Sequence, residues 1–378
     1  MDQLENFGNA RVYGKDAATP LVQPHRQRFP QFLPRLHTWT RLIALASLIL
    51  VGHSAWADDD TREALTYRLG EGLHLPGTGL GLGGYSTVTA DKLQHSPARA
   101  KLDDISLFLW WEGEGRWKFF SEFDYENLLS THDAERDGDA PYLALERIYI
   151  DYAFADAAKL RVGKFLTPIG SWNLIHATPL VWTSSRPLVT HQTFPSNVTG
   201  LMLSGTLSGQ SGTEYALYAS SGQEIRANPD LDPFNEVVGA HLTLPPVGGA
   251  RIGLSYASFE QKQSRDETKQ LYGIDFVWSK DRYEISAEGV YRFSNNGRAR
   301  DEKGAFVQVV VPLGEKLYAV GRYENFRKAL ALSTTELWVT GLNYRIAPAF
   351  ALKAEWIGSR HNSIGAPEGF MSSICVLF

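Results

Sequence analysis

The residues of this sequence most able to do chemistry are charged side chains that recur at every second position. In RWKFFSEFDYEN, residues 116–127, ionisable groups alternate with aromatic rings. Successive side chains of a β-strand point to opposite faces, so one face would carry acids and bases and the other would carry rings. A soluble strand would bury the rings, whereas a strand in a membrane barrel would turn them to lipid and its charges to a water-filled lumen. The charged positions are Arg116, Lys118, Glu122, Asp124 and Glu126, and the rings are Trp117, Phe119, Phe123 and Tyr125.

Linear motifs for catalysis or metal binding are absent from the sequence. There is no G-x-S-x-G elbow, no H-E-x-x-H helix, no phosphate-binding G-x-x-x-x-G-K-[ST] and no Cys/His metal spacing. The acidic stretches 132–141 and 228–236 lack the twelve-residue calcium-hand pattern, so we interpret both as solvated loops. We expect no enzyme activity, cofactor or metal. A catalytic site that combines one of the ten histidines with residues of other strands stays an open alternative, because a search for linear motifs does not detect it.

The first part of the chain has the pattern of a secretory signal. The apolar run LIALASLILV (42–51) follows a basic lead and is followed by Ala55-Trp56-Ala57. Ten apolar residues are too few to span a bilayer as a helix. We therefore predict an extended signal region over residues 1–57. The formal net charge is −5, which argues against a nucleic-acid partner, and the single Cys375 excludes an internal disulfide.

From residue 79 onward the sequence alternates apolar and polar residues in about sixteen segments of roughly ten residues. Seven short links alternate with eight long ones, and this order predicts a meander with both chain ends on the side of the short links. The short links are 112–116, 155–159, 207–212, 245–249, 279–282, 313–316 and 345–348. The long ones centre on 86–100, 128–141, 166–199, 221–236, 260–268, 294–303, 325–334 and 358–369.

This rhythm predicts an all-β fold, a transmembrane antiparallel up-and-down β-barrel of about 16 strands with tight periplasmic turns and long external loops. Residues 58–78 would form a periplasmic N-terminal segment and residues 79–378 the barrel. The rings would then face lipid and the charges would line the lumen. The predicted pore wall is Arg116, Lys118, Glu122, Asp124, Arg147, Asp151, Glu284, Glu288, Arg292, Arg322, Glu324, Lys353 and Glu355.

The third long loop, within residues 163–200, differs from the others because it is apolar, aromatic and proline-bearing. Such a loop must be buried, either inside its own barrel, where it would narrow the pore, or against a neighbouring subunit. It contains no Asp or Glu, so its cations would favour anions locally. Arg186 is the first candidate, although it could instead cap loop carbonyls or pack on a ring, and the histidines could be structural. The candidate constriction residues are Arg186, His176, His191, Trp172, Trp182 and Lys164.

Residues near this loop resemble the phosphate-selective porin O and P family and related trimeric outer-membrane porins. The resemblance is carried by Arg161, Gly163, Lys164, Phe165, Pro168 and Gly170, by ALKAEW (351–356) and by the terminal Phe378. It implies a homotrimer of sixteen-stranded channels in the bacterial outer membrane, each with its third external loop folded inward, in contact with lipid and lipopolysaccharide. It also implies that Phe378 is an assembly signal for the barrel assembly machinery. The mixed sign of the predicted wall departs from the anion-selective members and argues against phosphate selectivity.

We therefore predict an outer-membrane porin, a passive diffusion and ion-transport channel for small hydrophilic solutes, with anions as one candidate class. Two alternatives stay open at the level of sequence. One is an outer-membrane β-barrel enzyme, and the other is a secreted carbohydrate-binding β-sandwich.

Overall fold

The structure is a computed structural model that describes residues 65–378 with short gaps. The gaps are residues 131–140, 156, 176, 208–211, 223, 227–231, 297–300, 330 and 332, and the side chain of residue 265. The predicted signal region, the acidic stretch 132–140 and His176 therefore lie outside the described residues. No helix in the described part of the chain is long and apolar enough to cross a membrane.

The described chain is almost entirely β-strand. Its strands are β1 (Thr66–Arg68), β2 (Gly72–Leu75), β3 (Leu80–Leu93), β4 (Arg99–Glu112), β5 (Trp117–Ser130), β6 (Tyr142–Ala155), β7 (Ala158–Leu166), β8 (Asn197–Leu207), β9 (Thr213–Ser220), β10 (Phe234–Thr243), β11 (Ala250–Gln261), β12 (Ser264–Lys280), β13 (Tyr283–Ser294), β14 (Glu302–Pro312), β15 (Leu317–Arg327), β16 (Thr335–Ala347), β17 (Phe350–Arg360) and β18 (Gly369–Leu377). Two short helices, α1 (Trp172–Ile175) and α2 (Leu188–Gln192), lie between β7 and β8.

Sixteen of these strands, β3 to β18, form a closed antiparallel barrel in chain order. The last strand closes it by pairing with β3, from Gly369 opposite Leu93 to Leu377 opposite Tyr85. Closure leaves none of these sixteen strands with an unpaired edge facing lipid, where each unsatisfied backbone group would cost several kcal/mol. The predicted all-β barrel of about sixteen strands is confirmed.

The seam of the barrel is completed by the N-terminal segment. The two backbone bonds between Gly84 and Phe378, 2.8 and 2.9 Å long, are the last that the C-terminal strand makes with β3. Beyond that point β2 takes over the same edge, pairing from Leu73 opposite Leu82 to Leu75 opposite Leu80. The short β1 then pairs with β2. Part of the segment predicted to precede the barrel thus belongs to its sheet.

Side-chain orientation on the strands is the reverse of that in a soluble sheet. Trp117 and Tyr125 are exposed on the outer surface, at 52% and 39%, whereas Glu122 and Asp124 are 0% and 4% exposed inside. The outer surface also carries large apolar residues on every side of the barrel, among them Leu107, Ile150, Leu217, Val238, Ile274, Val307, Leu342 and Ile374. The predicted arrangement of rings outside and ionised groups inside is confirmed.

The connections between strands alternate in length as predicted, with two corrections. At one end, called here the short-turn end, they span two to six residues and include 113–116, 281–282 and 348–349. The other, long-loop end holds the 30-residue connection 167–196. Segments 86–100 and 260–268 were predicted as loop centres and are mostly strand. Only residues 262 and 263 separate β11 from β12, because these polar strands stay paired almost to their tips.

The buried core lies inside the barrel, where the connection 167–196 packs against the wall. Ile169, Trp172 and Val189 of this segment belong to one apolar cluster with Phe259 and Phe306 of the strands. Leu188 belongs to a second cluster with residues of β15 to β17. The predicted inward fold of the third loop is confirmed.

Replacing Ile274 with arginine tests the assignment of the outer face. Ile274 lies near the middle of β12 and is exposed on the outer surface. A charge at that depth should destabilise the protein folded in lipid by roughly 2–4 kcal/mol. Urea unfolding in liposomes measures the difference.

The matched control is Ser204→Arg, because Ser204 lines an internal cavity. We expect a change several times smaller for that variant. Equal losses for the two variants would contradict the assignment of inner and outer faces.

Candidate pore and constriction loop

The segment 167–196, called here the constriction loop, has its neck closed by hydrogen bonds beside the barrel wall. Thr167 N donates to Ser196 O at 2.8 Å, and Thr167 Oγ1 donates to Pro195 O at 2.7 Å. The buried amide of Asn173 donates to the carbonyls of Thr167 and Ser196. Both ends of the loop leave the same end of the neighbouring strands β7 and β8, and the segment between them reaches inward-facing residues of β13, β15 and β17.

The first turn inside the lumen is held by one wall carboxylate. Glu288 Oε1 of β13 accepts hydrogen bonds from Ser171 N, Ser171 Oγ and Trp172 N, and its other oxygen accepts one from Thr190 Oγ1. The turn needs a glycine at Gly170, where φ is +68° and a Cβ would lie 2.6 Å from the Glu288 carboxylate. A buried carboxylate thus replaces its hydration with N–H and O–H donors of the loop.

Two further wall carboxylates hold the middle of the loop. Glu355 of β17 accepts from Ser184 N at 2.9 Å and from Ser185 N at 2.8 Å, one bond to each oxygen. Glu324 of β15 accepts from Leu188 N at 2.6 Å. Because a loop with no carboxylates exposes many backbone N–H groups, acids on the facing wall are its natural partners.

Wall cations bind the carbonyl and hydroxyl groups of the same loop. Arg322 pairs with Glu324 at 2.7 Å and donates to Thr183 Oγ1 and to both oxygens of Ser185. Lys353 donates to Thr178 O at 2.6 Å. Other donors to loop atoms are Arg292 to Thr193 O, Asn343 to Trp182 O and Arg345 to Leu180 O.

Several predicted wall residues are therefore brought together beneath the constriction loop and not along an open lumen. They share deep burial and direct bonds to loop atoms. They are Glu288, Glu324, Arg322, Lys353 and Glu355, with Arg292 and Glu284 at the margin. The alternation of the sequence predicts that these residues lie on the inner face, but it does not predict that the constriction loop covers them.

The inner wall opposite this attachment, on β3 to β6, carries a row of rings capped by arginines. Phe120 stacks on Tyr149 with centroids 5.5 Å apart. The Arg147 guanidinium lies 4.6 Å above the Phe120 ring and pairs with Glu122. Arg161 lies 3.6 Å above Tyr149 and makes a bidentate pair with Asp151 at 2.7 and 2.8 Å. Phe120 is thus the ring of the opening stretch that faces inward.

The predicted wall residues Arg116 and Lys118 lie at the short-turn end. Both are exposed. Lys118 pairs with Glu112 at 3.1 Å, and Arg116 donates to Phe154 O. They contribute to the rim of the barrel and do not approach the constriction loop.

Two cavities, both with charged residues in their linings, lie on either side of the constriction loop. The larger, about 840 Å³, opens among strand ends near the short turns and contains Arg147, Lys159, Arg161, Arg251 and Asp275. The smaller, about 340 Å³, lies toward the long-loop end and is called here the acidic cavity. Its acids are Asp103, Asp104, Asp124, Glu126 and Glu146, and its loop residues include Arg186 and His191.

Arg186 is the charged group that the loop presents to the acidic cavity. Its guanidinium lies 5.6 Å above the Trp172 ring and interacts electrostatically with Asp124. His191 lines the same cavity. Burial removes water from around His191 and so lowers its pKa, and the positive charge of Arg186 lowers this pKa further. The lowered pKa favours the neutral form of His191 at neutral pH, so in the described part of the loop Arg186 carries the positive charge that lines the acidic cavity.

The remaining predicted loop residues lie elsewhere. Trp182 donates its indole N–H to Glu284 at 2.9 Å on the opposite wall. Lys164 is 2% exposed and pairs with Glu224 at 3.1 Å, so it belongs to the structure of the next external connection. Burial raises the pKa of Glu224, although Lys164 opposes this shift.

The predicted pore wall included Asp124 but left out the other four acids of the acidic cavity, Asp103 among them. Asp104, Glu126 and Glu146 lie on β4, β5 and β6 beside the predicted Asp124. Glu126 shares the parity of the charged face of β5, and Asp104 lies directly opposite it in the strand register. Register shifts in β4 and near Glu146 break the simple alternation, which is why parity did not find the other two.

Comparison with known proteins shows the fold. No family model and no curated protein matches the sequence. OmpF from Salmonella typhi, solved with daunomycin, matches with a TM-score of 0.61 and 10% identity over 80% of this chain and 98% of that chain. The trimer form of in-vitro folded OmpT, an outer membrane protein of Vibrio cholerae, gives 0.58 and 9% over 79% and 99%. An anion-selective porin from Comamonas acidovorans gives 0.54 and 11% over 79% and 97%.

The chain thus has the porin-like barrel fold of outer-membrane proteins. Its apolar exterior and closed backbone hydrogen bonding place it in the bacterial outer membrane. The closed barrel excludes the soluble β-sandwich alternative. No family model supports the resemblance to the phosphate-selective porin family.

Replacing Glu355 with glutamine tests how the constriction loop is held. Each oxygen of Glu355 accepts one backbone N–H, so a glutamine must present its amide donor to one of them. Losing a charge-assisted bond costs roughly 1.5–3 kcal/mol. We expect chymotryptic cleavage after Trp182 to become on the order of tenfold faster.

Mass spectrometry identifies the cleavage site in the refolded protein. Glu336→Gln on β16 is the control, because Glu336 lies on the strand face opposite the loop-bound Asn343 side. Unchanged cleavage in Glu355→Gln would show that this carboxylate does not hold the loop.

Proposed function

We propose that this protein is an outer-membrane porin, a passive diffusion channel for small hydrophilic solutes and ions. The observation that carries the proposal is a closed barrel whose lumen holds a folded loop, with a cavity that contains charged residues on each side of it. A pre-formed lumen of this kind can pass solutes without energy input. The loop restricts their size, and charged groups select among them.

The selective region of the proposed channel is the space between Arg186 and the acids of β4 to β6. A positive loop and a negative wall face each other across the acidic cavity, so the field there runs across the pore axis. Because the surrounding protein screens charge weakly, this field acts strongly on a polar or charged solute. The proposal requires a path from the acidic cavity past Arg147 to the larger cavity.

The charge of the proposed channel favours small polar solutes in general over phosphate. The larger cavity contains four Lys or Arg side chains and His241, together with Glu214 and Asp275. The acidic cavity contains five acids and only Arg186 among its Lys and Arg groups in the described chain. An anion would therefore meet repulsion on one side of the loop and attraction on the other. We propose a relationship to the phosphate-selective porins in architecture, with anions as one candidate class of solute.

We further propose that the channel is a homotrimer in contact with lipid and lipopolysaccharide. The structural neighbour from Vibrio cholerae is described as a trimer form. Three copies would bury part of the outer apolar surface. Phe378, which completes the pairing of the last strand with β3, is the proposed recognition signal for the barrel assembly machinery.

The enzyme alternative has one concrete candidate in the lumen. His241 Nδ1 lies 2.9 Å from Ser255 Oγ, which also accepts a bond from Gly170 N at 3.2 Å. The other ring nitrogen lies 3.2 Å from Thr243 Oγ1. Among the described residues no carboxylate orients His241, and Ser255 is buried, so this pair lacks the geometry of a serine nucleophile with its base and orienting acid. We propose that the pair is structural and that the protein is not an enzyme.

Single-channel recording in planar bilayers tests the channel function. We expect steady ohmic steps from the folded protein. Arg186→Ala should lower the ratio of chloride to potassium permeability, roughly twofold or more, because the acidic cavity then loses the positive charge of Arg186 while the acids remain. The reversal potential in a salt gradient measures this ratio.

Arg360→Ala is the matched control, because Arg360 is exposed at the rim and lies on the outward face of β17. We expect its reversal potential to equal that of the parent. An equal shift in both variants would contradict the assignment of Arg186 to the constriction. Silence from a folded, heat-modifiable sample would contradict the channel itself.

A fluorophosphonate probe separates the channel from a serine hydrolase. Because Ser255 Oγ is buried and bound to His241 and Gly170, we expect no covalent labelling of the folded protein. Mass spectrometry of the intact chain, with Ser255→Ala as the reference, checks this. Stoichiometric labelling that disappears in Ser255→Ala would favour the enzyme.

A further inference from the structure

The acidic cavity contains a set of oxygen ligands that the proposed channel function does not use. One carboxylate oxygen each from Asp124, Glu126 and Glu146 lies within 4.8 Å of the others. Asp104 faces Glu126 directly across the β4–β5 register. Four carboxylates on three neighbouring strands thus converge on one cavity of about 340 Å³.

The charges of this cavity do not balance among its described lining residues. Asp103 pairs with Lys101 at 2.6 Å, outside the cluster. Arg186 is then the one Lys or Arg side chain of the lining, beside the four acids Asp104, Asp124, Glu126 and Glu146. Arg147, which pairs with Glu122, also acts on Asp124 from outside the lining, so the acids still outnumber the cations. Like charges directly opposite on paired strands are destabilising, and buried charge in excess of its partners is costly. A further positive charge in the cavity would remove this cost.

A neutral group gives independent evidence of a ligand. Thr89 of β3 lines the same cavity, is only 6% exposed, and its Oγ1 has no hydrogen-bond partner. One oxygen of Asp104 is also buried without a hydrogen-bond partner. Buried polar atoms are nearly always satisfied by protein, water or an ion. The Thr89 hydroxyl and the carboxylates therefore offer oxygens of both neutral and charged type to one occupant.

We infer that the acidic cavity binds a divalent cation of the calcium class. The cluster offers only oxygen ligands, and hard cations prefer these, whereas zinc prefers nitrogen and sulfur. Ca²⁺ accepts six to eight oxygens in flexible geometry, which suits side chains from four strands better than the strict octahedron of Mg²⁺. Tyr142 donates to Glu126 Oε2 at 2.7 Å, and Ser106 donates to Asp124. These bonds fix the direction of the two carboxylates.

The consequence for permeation rests on the proposed channel function. A bound divalent cation beside Arg186 neutralises the acids that repel anions from this side of the loop. The channel then admits anions more readily when Ca²⁺ is present. The cation would act as an exchangeable part of the selectivity region.

Binding is tested on the refolded full chain in detergent with Ca²⁺ and Tb³⁺ as probes. Tyr85 and Tyr142 line the cavity, so excitation of tyrosine should sensitise Tb³⁺ luminescence, and Ca²⁺ should compete for the site. Calorimetry with Ca²⁺ gives the stoichiometry, expected to be one ion per chain. Glu126→Gln and Asp104→Asn should each weaken binding by roughly tenfold, because each removes one charge from the ligand set.

Glu112→Gln is the matched control, because Glu112 lies on the rim at the opposite end of β4 and pairs with Lys118. Its affinity should equal that of the parent. Heat modifiability on gels confirms that each variant is folded. Saturable binding that weakens in Glu126→Gln and Asp104→Asn but not in the control supports the site.

Absence of saturable binding in the folded parent, or equal affinity in all variants, would overturn the inference. These outcomes do not depend on conductance. Silence in bilayers would overturn the proposed channel while leaving a measured cation site in place.

Discussion

The requirement that every backbone polar group be hydrogen-bonded within the sheet governs this structure. In a bilayer no water can satisfy an open strand edge, so the sheet must close. Closure is achieved by β18 against β3, and the remaining edge of β3 is covered by β2. Once the sheet is closed, each residue on a strand has only two environments. The parity of a side chain then decides whether it meets lipid or the lumen, and ionised groups are tolerated on one parity alone.

That constraint explains why the lumen is rich in charge, but the fate of the charges differs between two sides of the barrel. On β13, β15 and β17 the inward carboxylates Glu288, Glu324 and Glu355 accept backbone N–H groups of the constriction loop. The loop in turn has no carboxylates of its own and no strand to pair with, so its polar backbone depends on wall side chains. The hydrogen bonds between wall carboxylates and loop N–H groups thus offset the desolvation cost of burying both. On β4 to β6 the loop does not cover the wall, and the acids there face a cavity.

Much of the fold could be predicted from the sequence because the two-residue period and the alternation of link lengths are local signals. The outward rings of 116–127 and the sixteen strands follow from them. The inward fold of the third loop follows instead from its apolar composition and from the resemblance to porins. The boundary of β11 and β12 could not be predicted, since polar residues continue the pairing past the apolar belt. The contact partners of the inward-facing charges could not be predicted either. Lys164 pairs with Glu224, and Glu355 meets Ser184 and Ser185, at sequence separations that only the closed barrel brings together. Register shifts hid Asp104 and Glu146 for the opposite reason, because they disturb the local period itself.

The position of Arg186 follows from these two halves of the wall. The constriction loop is fixed to one side of the barrel by bonds to Glu288, Glu324 and Glu355, and its free side must therefore face β4 to β6. A residue on that free side meets the acids that the loop leaves uncovered. An apolar residue there would leave the acids without a cationic partner from the loop, and an acid would add to their repulsion. Arg186, supported by the Trp172 ring, is a long cationic side chain that lines the cavity and offsets the negative charge of the wall, so attachment of the loop on one side favours a cation on the other.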